Sequence, residues 1–172
     1  MELEGYKLYT FVNTTYMRPI QFGIQTAHLL GAMVLKYIIN EQGVPDPKDY
    51  VSGMRVRKYL EHPEPFIEVR DGRYLQHMVE LRDQLSSVGA ALNLPTATFF
   101  ESNAALGGIM TCVGIIAPTS YTDTDRYFSG GIVNVEWKED FDTPLEVLLA
   151  DSSAMANKAA LYKILASHGR AR

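Results

Sequence analysis

Cysteine is almost missing from this chain, with Cys112 the single one. A lone thiol cannot close an internal disulfide, and its place in an apolar, strand-like run predicts a buried, inert side chain. Paired histidines are missing too. His28, His62, His77 and His168 show none of the short spacings that bind zinc, so neither a metal nor a cofactor is expected. There is no nucleophile elbow and no Walker-type glycine loop for phosphates. Long hydrophobic runs are absent: the most apolar stretch, Leu29 to Ile39, contains Lys36 and is too short to cross a bilayer. The opening residues MELEGYKL lack the basic start and apolar core of a signal peptide. These absences predict a soluble, most simply cytoplasmic protein with no membrane partner. A net charge of −4 also argues against a broad basic face for non-specific nucleic-acid binding.

What is present is an ordinary globular composition. The 172 residues are 47% apolar and carry no internal repeat or low-complexity block, which predicts one domain with an appendage. The chain is organised around Lys7 to Ile39. Leu8 to Asn13 is β-branched and aromatic and reads as a strand. After a short turn, Pro19 suits the first position of a helix, and Ile20, Ile24, Ala27, His28, Ala32, Leu35 and Ile39 recur at helical spacing. A strand passing sharply into a helix leaves the helix N-terminus beside the strand's carboxyl end, where open α/β sheets place ligands.

Gly43, Pro45 and Pro47 stop that helix. Residues 48–64 read as a short helix or an ordered excursion, with Arg55, Arg57, Lys58 and His62 on a solvated face. Phe66 to Arg70 alternates apolar and charged, a strand with one wet face. From Tyr74 the positions Leu75, Met78, Leu81, Leu85, Val88 and Leu92 define the most secure helix, with His77 off its stripe. Thr96 to Phe100 reads as a strand, and Ile109 to Pro118 as a central strand covered on both faces. Thr119 to Gly131 reads as a long loop or lid, and Ile132 to Trp137 as one more strand. Thr143-Pro144-Leu145-Glu146 is a capping-box pattern, so a helix is expected from Pro144, interrupted near Asp151-Ser152-Ser153. His168 to Arg172 reads as a frayed basic tail. The expected fold class is α/β, a mixed four- to five-stranded sheet covered by helices.

Chemistry concentrates at the first helix. Gln21, Gln25 and His28 lie at intervals of four and three and share one face. If the strand ending at Phe100 lies beside the first strand, Glu101 emerges near them. Two readings are open for this set. It orients a water or binds a polar ligand, or His28 is a satisfied core histidine and Gln25 bonds backbone.

Met17 to His28, MRPIQFGIQTAH, resembles without gaps the first-helix motif of the type 2 peptidyl-tRNA hydrolase family. That motif runs aspartate, two residues, methionine, Gly-Lys, three small or apolar residues, glutamine, two alanines and histidine; Met17, Gln25, Ala27 and His28 match it. Further on, the helix from Tyr74 is followed by Leu94-Pro95. Glu101-Ser102-Asn103 falls at the family's Asp-Ala-Gly turn, and Val113 to Pro118 looks like its closing strand. The resemblance covers residues 6–40 and 65–118. It implies a type 2 peptidyl-tRNA hydrolase-like α/β domain over 1–142, with an insertion at about 41–64 and a loop at about 119–131. Residues 143–172 then form a C-terminal helical extension, and a homodimer is implied. The departures fall in the site. The family's helix-start lysine corresponds to Gln21, the aspartate before the turn to Thr14, the catalytic aspartate to Glu101, and the threonine after its turn to Ala105. An extra methylene displaces a carboxylate by about 1 Å, which costs on the order of 10²-fold in rate. Losing the lysine removes a positive charge that would hold a phosphate, a place Arg18 could fill.

Three functions follow. In the first, the cleft is repurposed to bind a polar, nucleotide-derived ligand through Asn13, Thr14, Arg18, Gln21, Gln25, His28, Glu101, Ser102 and Asn103. It would sequester that ligand, as accessory proteins of bacteria and their viruses do. In the second, a divergent hydrolase cleaves the ester between peptide and tRNA. Glu101 activates water, His28 and Gln25 support it, and Arg18 meets the phosphate of the tRNA end. In the third, the chain is a non-catalytic protein-interaction module that docks through its C-terminal helix.

Overall fold

The computed structural model describes residues 5–15, 18–39, 49–62, 65–121 and 145–171. Strand β1 (Tyr6–Val12) turns into helix α1 (Pro19–Tyr37), with Pro19 at the first helical position as expected. Helix α2 (Tyr50–Glu61) follows, settling the open reading of that stretch in favour of a helix. Then come β2 (Phe66–Asp71), α3 (Leu75–Leu92), β3 (Thr96–Phe100), the single turn α4 (Asn103–Leu106) and β4 (Met110–Pro118). A 3-10 turn at Thr119–Tyr121 and helix α5 (Leu145–Ser167) complete the described elements. Helix α3 ends at Asn93 in the left-handed region, φ 53°, a conformation asparagine tolerates at a helix end. The strand expected at Ile132–Trp137, the loop from 122 to Gly131, the cap at Thr143-Pro144 and Met17 lie outside the described residues.

Among the described residues the sheet has four strands in the order β2-β1-β4-β3, an α/β arrangement; contrary to the expectation from sequence, β3 does not lie beside β1, because β4 pairs with both and separates them. β1 and β2 are parallel, and β4 runs antiparallel to both β1 and β3. β1, β2 and β3 therefore point the same way, and their carboxyl ends at Val12, Asp71 and Phe100 share one edge. Strand alternation sends Leu8, Val12, Cys112 and Ile116 to one face, under α1 and α2. Tyr9, Phe11, Val113, Ile115 and Ala117 face the other way, under α3 and α5. Every residue of β4 is buried, as its continuous apolar run implies. Cys112 is fully buried, and burial pushes its thiol up, so it stays protonated.

Three further expectations are corrected. Helix α1 buries Phe22, Gln25, Thr26, Leu29, Met33 and Tyr37, whereas Ile20, Ile24, Leu35 and Ile39 face outward. Periodicity could not choose between them, because no charged residue marks a solvent side from Pro19 to Leu35. Helix α5 runs unbroken through Asp151-Ser152-Ser153. The segment after it is not frayed: Arg70 Nη1 donates to Leu165 O (2.7 Å) and His168 O (2.8 Å), and Arg73 Nη2 to Ser167 O (2.9 Å). Cations thus satisfy the carbonyls that a helix C-terminus leaves open. Gly169 to Ala171 then pairs with the outer edge of β2, through Asp71 N to Gly169 O (2.8 Å) and Ala171 N to Val69 O (3.1 Å). Arg70 is itself paired with Glu68, whose other oxygen accepts from Lys7 (3.1 Å). Burial alone would raise the Glu68 carboxyl, but the hydrogen bonds and charges of Lys7 and Arg70 outweigh it and hold it low.

His168 is buried edge-on against Phe11, its Nδ1 2.9 Å from Ile164 O. Burial lowers its pKa below the ordinary value of 6.5; Arg73 and His77 add to this, and the Ile164 bond and Asp71 oppose it. The unfolded chain therefore takes up this proton first as pH falls, so the stability His168 contributes is complete above about pH 6.5 and shrinks below it. The urea midpoint is expected to drop between about pH 7.5 and 5.5, above the range where Glu68 titrates, and to drop less in His168→Gln. Glycines give a second check. A Cβ at Gly114 would lie 2.5 Å from Leu29 Cδ2 and 2.7 Å from Tyr9 O, whereas one at Gly23 meets nothing within 4 Å. Gly114→Ala should cost about 1–3 kcal/mol by overpacking. Gly23→Ala, exposed in α1, should add about 0.5–1 kcal/mol. Both are read by urea denaturation.

Candidate functional site

The shared carboxyl edge collects the polar residues that the sequence singles out. α1 lies close against the sheet at Gly114, and one turn before Leu29 its Gln25 is buried beside the start of β4. There Thr111 Oγ1 donates to Gln25 Oε1 (2.7 Å), and Gln25 Nε2 donates to Glu101 Oε2 (3.1 Å). A carboxylate accepts only, so the amide's nitrogen must face Glu101 and its oxygen must face the hydroxyl. This relay fixes Glu101 just past the end of β3, after a register irregularity between Phe99 and Phe100, and the Glu101 amide donates to Ile109 O (2.9 Å). Glu101 is half-buried; its Oε1 lies 3.4 Å from the Ser102 amide. An oriented carboxylate of this kind can accept from a ligand hydroxyl or amine, or position a water.

The other predicted residues divide by what already occupies them. Asn13 is fully buried: its Oδ1 accepts from Thr15 N (3.2 Å), its Nδ2 donates to Met110 O (3.4 Å), and it serves the turn after β1. Gln21 Oε1 accepts from Arg18 N (2.8 Å), half of a capping box that starts α1. Ser102 Oγ accepts from Ala105 N (3.1 Å) and caps α4. Arg18 and Asn103 are exposed. Gly108 has φ 75°, a left-handed backbone that favours glycine at this turn.

Gln21, Gln25 and His28 share a flank of α1, but burial separates them. His28 is exposed and packs edge-on against Phe99, ring centroids 4.6 Å apart. Among the described residues it makes no hydrogen bond to Gln25 or Glu101. The structure thus joins Gln25 to Glu101 and leaves His28 apart from the pair.

Two residues of this edge escaped the sequence. Thr111 anchors the relay, and Asp71, at the carboxyl end of β2, accepts from Thr14 Oγ1 (2.7 Å) and Arg73 N (2.7 Å). Asp71 thus places a carboxylate beside Thr14. The signal available was Asp71-Gly72 closing a parallel strand; Gly72 N bonds Val12 O (2.8 Å), which holds the two strand ends together. Grooves of about 670 and 470 Å³ lie elsewhere, between α3 and α5 and beside Lys36 and Asn93; neither is lined by Glu101. Among the described residues no group of His, Cys, Asp and Glu could hold a metal ion, and no helix is long and apolar enough to cross a membrane.

Thr111→Val leaves a buried amide oxygen without its donor and should cost about 1–3 kcal/mol in urea denaturation. In a double-mutant cycle with Gln25→Ala the pair should show a coupling of about 0.5–3 kcal/mol; independent effects would mean the relay does not hold in solution.

Compared with known proteins, the chain matches no family model, and no curated sequence is significantly similar to it.

Proposed function

We propose that the chain has a type 2 peptidyl-tRNA hydrolase-like fold, with residues 143–172 as a C-terminal helical addition. The carboxyl edge of its sheet is turned to binding and sequestering a polar, nucleotide-derived ligand. The observation that carries this reading is the Thr111–Gln25–Glu101 relay: a buried amide is spent on fixing one carboxylate at the strand ends, where α/β sheets receive ligands. Asn103, two residues on, is exposed and offers a neutral hydrogen-bonding group, Gln21 and Ser102 being committed to helix starts and Thr14 to Asp71, and Arg18 stands exposed at the start of α1. Such a set suits the edge of a base and a ribose hydroxyl with one phosphate better than a long, highly charged RNA. The separation of His28 from Glu101 favours binding over turnover, because among the described residues no base is bonded to the carboxylate. The resemblance also implies a homodimer.

One observation favours a second reading, a working peptidyl-tRNA hydrolase. Gln25 leaves Glu101 oriented, as a water-positioning group must be.

Mass spectrometry of small molecules released by heat from the purified protein separates the two. A stoichiometric nucleotide is expected, and adding it back at a hundred times its dissociation constant should stabilise the fold by about 2.7 kcal/mol. That gain should vanish in Glu101→Ala. An empty protein that cleaves peptidyl-tRNA, and stops doing so in Glu101→Ala, would replace the first reading with the second.

A further inference from the structure

Among the described residues β3 borders the sheet, and the hydrogen bonds on its outward side are only half made. In an antiparallel pair, alternate residues turn both main-chain groups to the partner strand, and the residues between turn theirs away. Pro95 O accepts from Ile116 N (3.0 Å) on the β4 side, so Thr96 and Thr98 present their amides and carbonyls outward. Thr96 is satisfied there. The Tyr37 hydroxyl accepts from its amide (3.0 Å) and donates to its carbonyl (3.0 Å), and Lys36 Nζ donates to the same carbonyl (3.3 Å). Two side chains of α1 thus stand where a neighbouring strand would, and they reach no further than Thr96. Among the described residues nothing meets the outward amide and carbonyl of Thr98. Those groups open into a crevice. Two adjoining grooves of about 160 and 470 Å³ share Lys36, Ser86 and Thr96. α1 lines the crevice with Ala32 and Lys36, α3 with Ser86 and Gly89, and β3 with Thr96 and Thr98. Small side chains at 32 and 86 leave room for the backbone of one more strand, which would run about 4.8 Å from β3.

We propose that this edge takes the extended C-terminal segment of a partner protein as an added strand, antiparallel to β3, with its terminal carboxylate at Lys36. The outward groups of Thr98 are one donor and one acceptor at strand spacing, and the main chain of an extended peptide supplies their complement. Antiparallel addition is the commoner and the more stable kind. An antiparallel strand runs against β3, so its carboxyl end arrives at Thr96. Tyr37 and Lys36 already hold the outward groups there, and the ladder stops. A chain that ends at this point brings a negative charge to the Lys36 ammonium, whose present partners are a carbonyl and the Tyr37 ring (4.6 Å). The wider groove, bordered by Asp49, Ser52 and Asn93, receives the last side chain and favours a polar one. A second copy of this chain is a poorer occupant, because its own last described residues are committed to β2. The site lies at the opposite end of β3 from Glu101 and holds whether or not the carboxyl edge binds a ligand.

A library of random heptapeptides displayed with free carboxyl ends and panned on the full chain supplies the probe, and the best binder is then synthesised. Titration calorimetry should show micromolar binding, and hydrogen exchange at the Thr98 amide should slow when the peptide is bound. Amidating the peptide's carboxyl end and Lys36→Gln should each weaken binding by about 10-fold. Thr98→Pro removes the amide donor at a place where an edge strand tolerates proline, and should weaken binding as much. Ser86→Phe should block the crevice, and thermal unfolding should show the variants folded. A library that yields no binder overturns the proposal. So do binders indifferent to Lys36→Gln and Ser86→Phe, or binders that leave the Thr98 amide exchanging as before. A Thr98 amide already protected in the protein alone would show the edge occupied and overturn it too. Self-association that Thr98→Pro abolishes would do the same, assigning the edge to a second copy.

Discussion

The closeness of α1 to the sheet is the constraint on which most of this molecule depends, and it rests on the missing side chain at Gly114. Leu29 fills that space, and the helix settles at a height that a methyl group would forbid. From that height follows the burial of Gln25 one turn earlier, within reach of Thr111 at the start of the same strand. At the other end of the helix the Tyr37 hydroxyl donates to Thr96 O (3.0 Å) and accepts from Thr96 N (3.0 Å), stapling α1 to the first residue of β3. β3 then delivers Glu101 to the edge where Gln25 waits. Helix height and strand register are therefore one problem, solved at two contacts.

Placement of polar groups at the edge shows how much of a site's chemistry is spent on architecture. Asn13, Gln21 and Ser102 are the residue types a ligand site uses, yet each is committed to a turn or a helix start. Short polar side chains satisfy orphan backbone groups where strands end and helices begin, the same places where ligands bind. Their presence in the sequence marks the edge and leaves the division of labour open. The geometry makes that division: Gln25 and Thr111 support, Glu101 is presented, and Asp71 with Thr14 forms a second polar corner across the sheet.

Much of the fold was legible because its signals are local. The aromatic and β-branched run of β1, Pro19 at the start of α1, the stripe of α3 from Met78 to Leu92 and the unbroken apolar run of β4 each state their element outright. The buried side of α1 was not legible, since both of its faces are apolar and only the sheet decides between them. The C-terminal residues misled for the opposite reason. His168 to Arg170 look like solvated polar chain, and the partners that order them, Arg70 and Arg73, stand far away in sequence. At the site, Gln25 and Glu101 could be brought together through a resemblance to known motifs, whereas Thr111 and Asp71 needed the register of the strands.

The pairing of Gly169 to Ala171 with β2 gives this short segment a protective duty. Among the described residues β2 is an edge strand, and Phe66 and Ile67 on it are about half exposed. An open, apolar edge invites strand addition from other molecules and the aggregation that follows. The last described residues cover the half of the edge from Val69 to Asp71, where the backbone would otherwise offer its bonds. Lys7, Glu68 and Arg70 set charge along the flank. The chain thus acts as its own gatekeeper, with two arginines holding a three-residue cover over the strand that borders the polar edge.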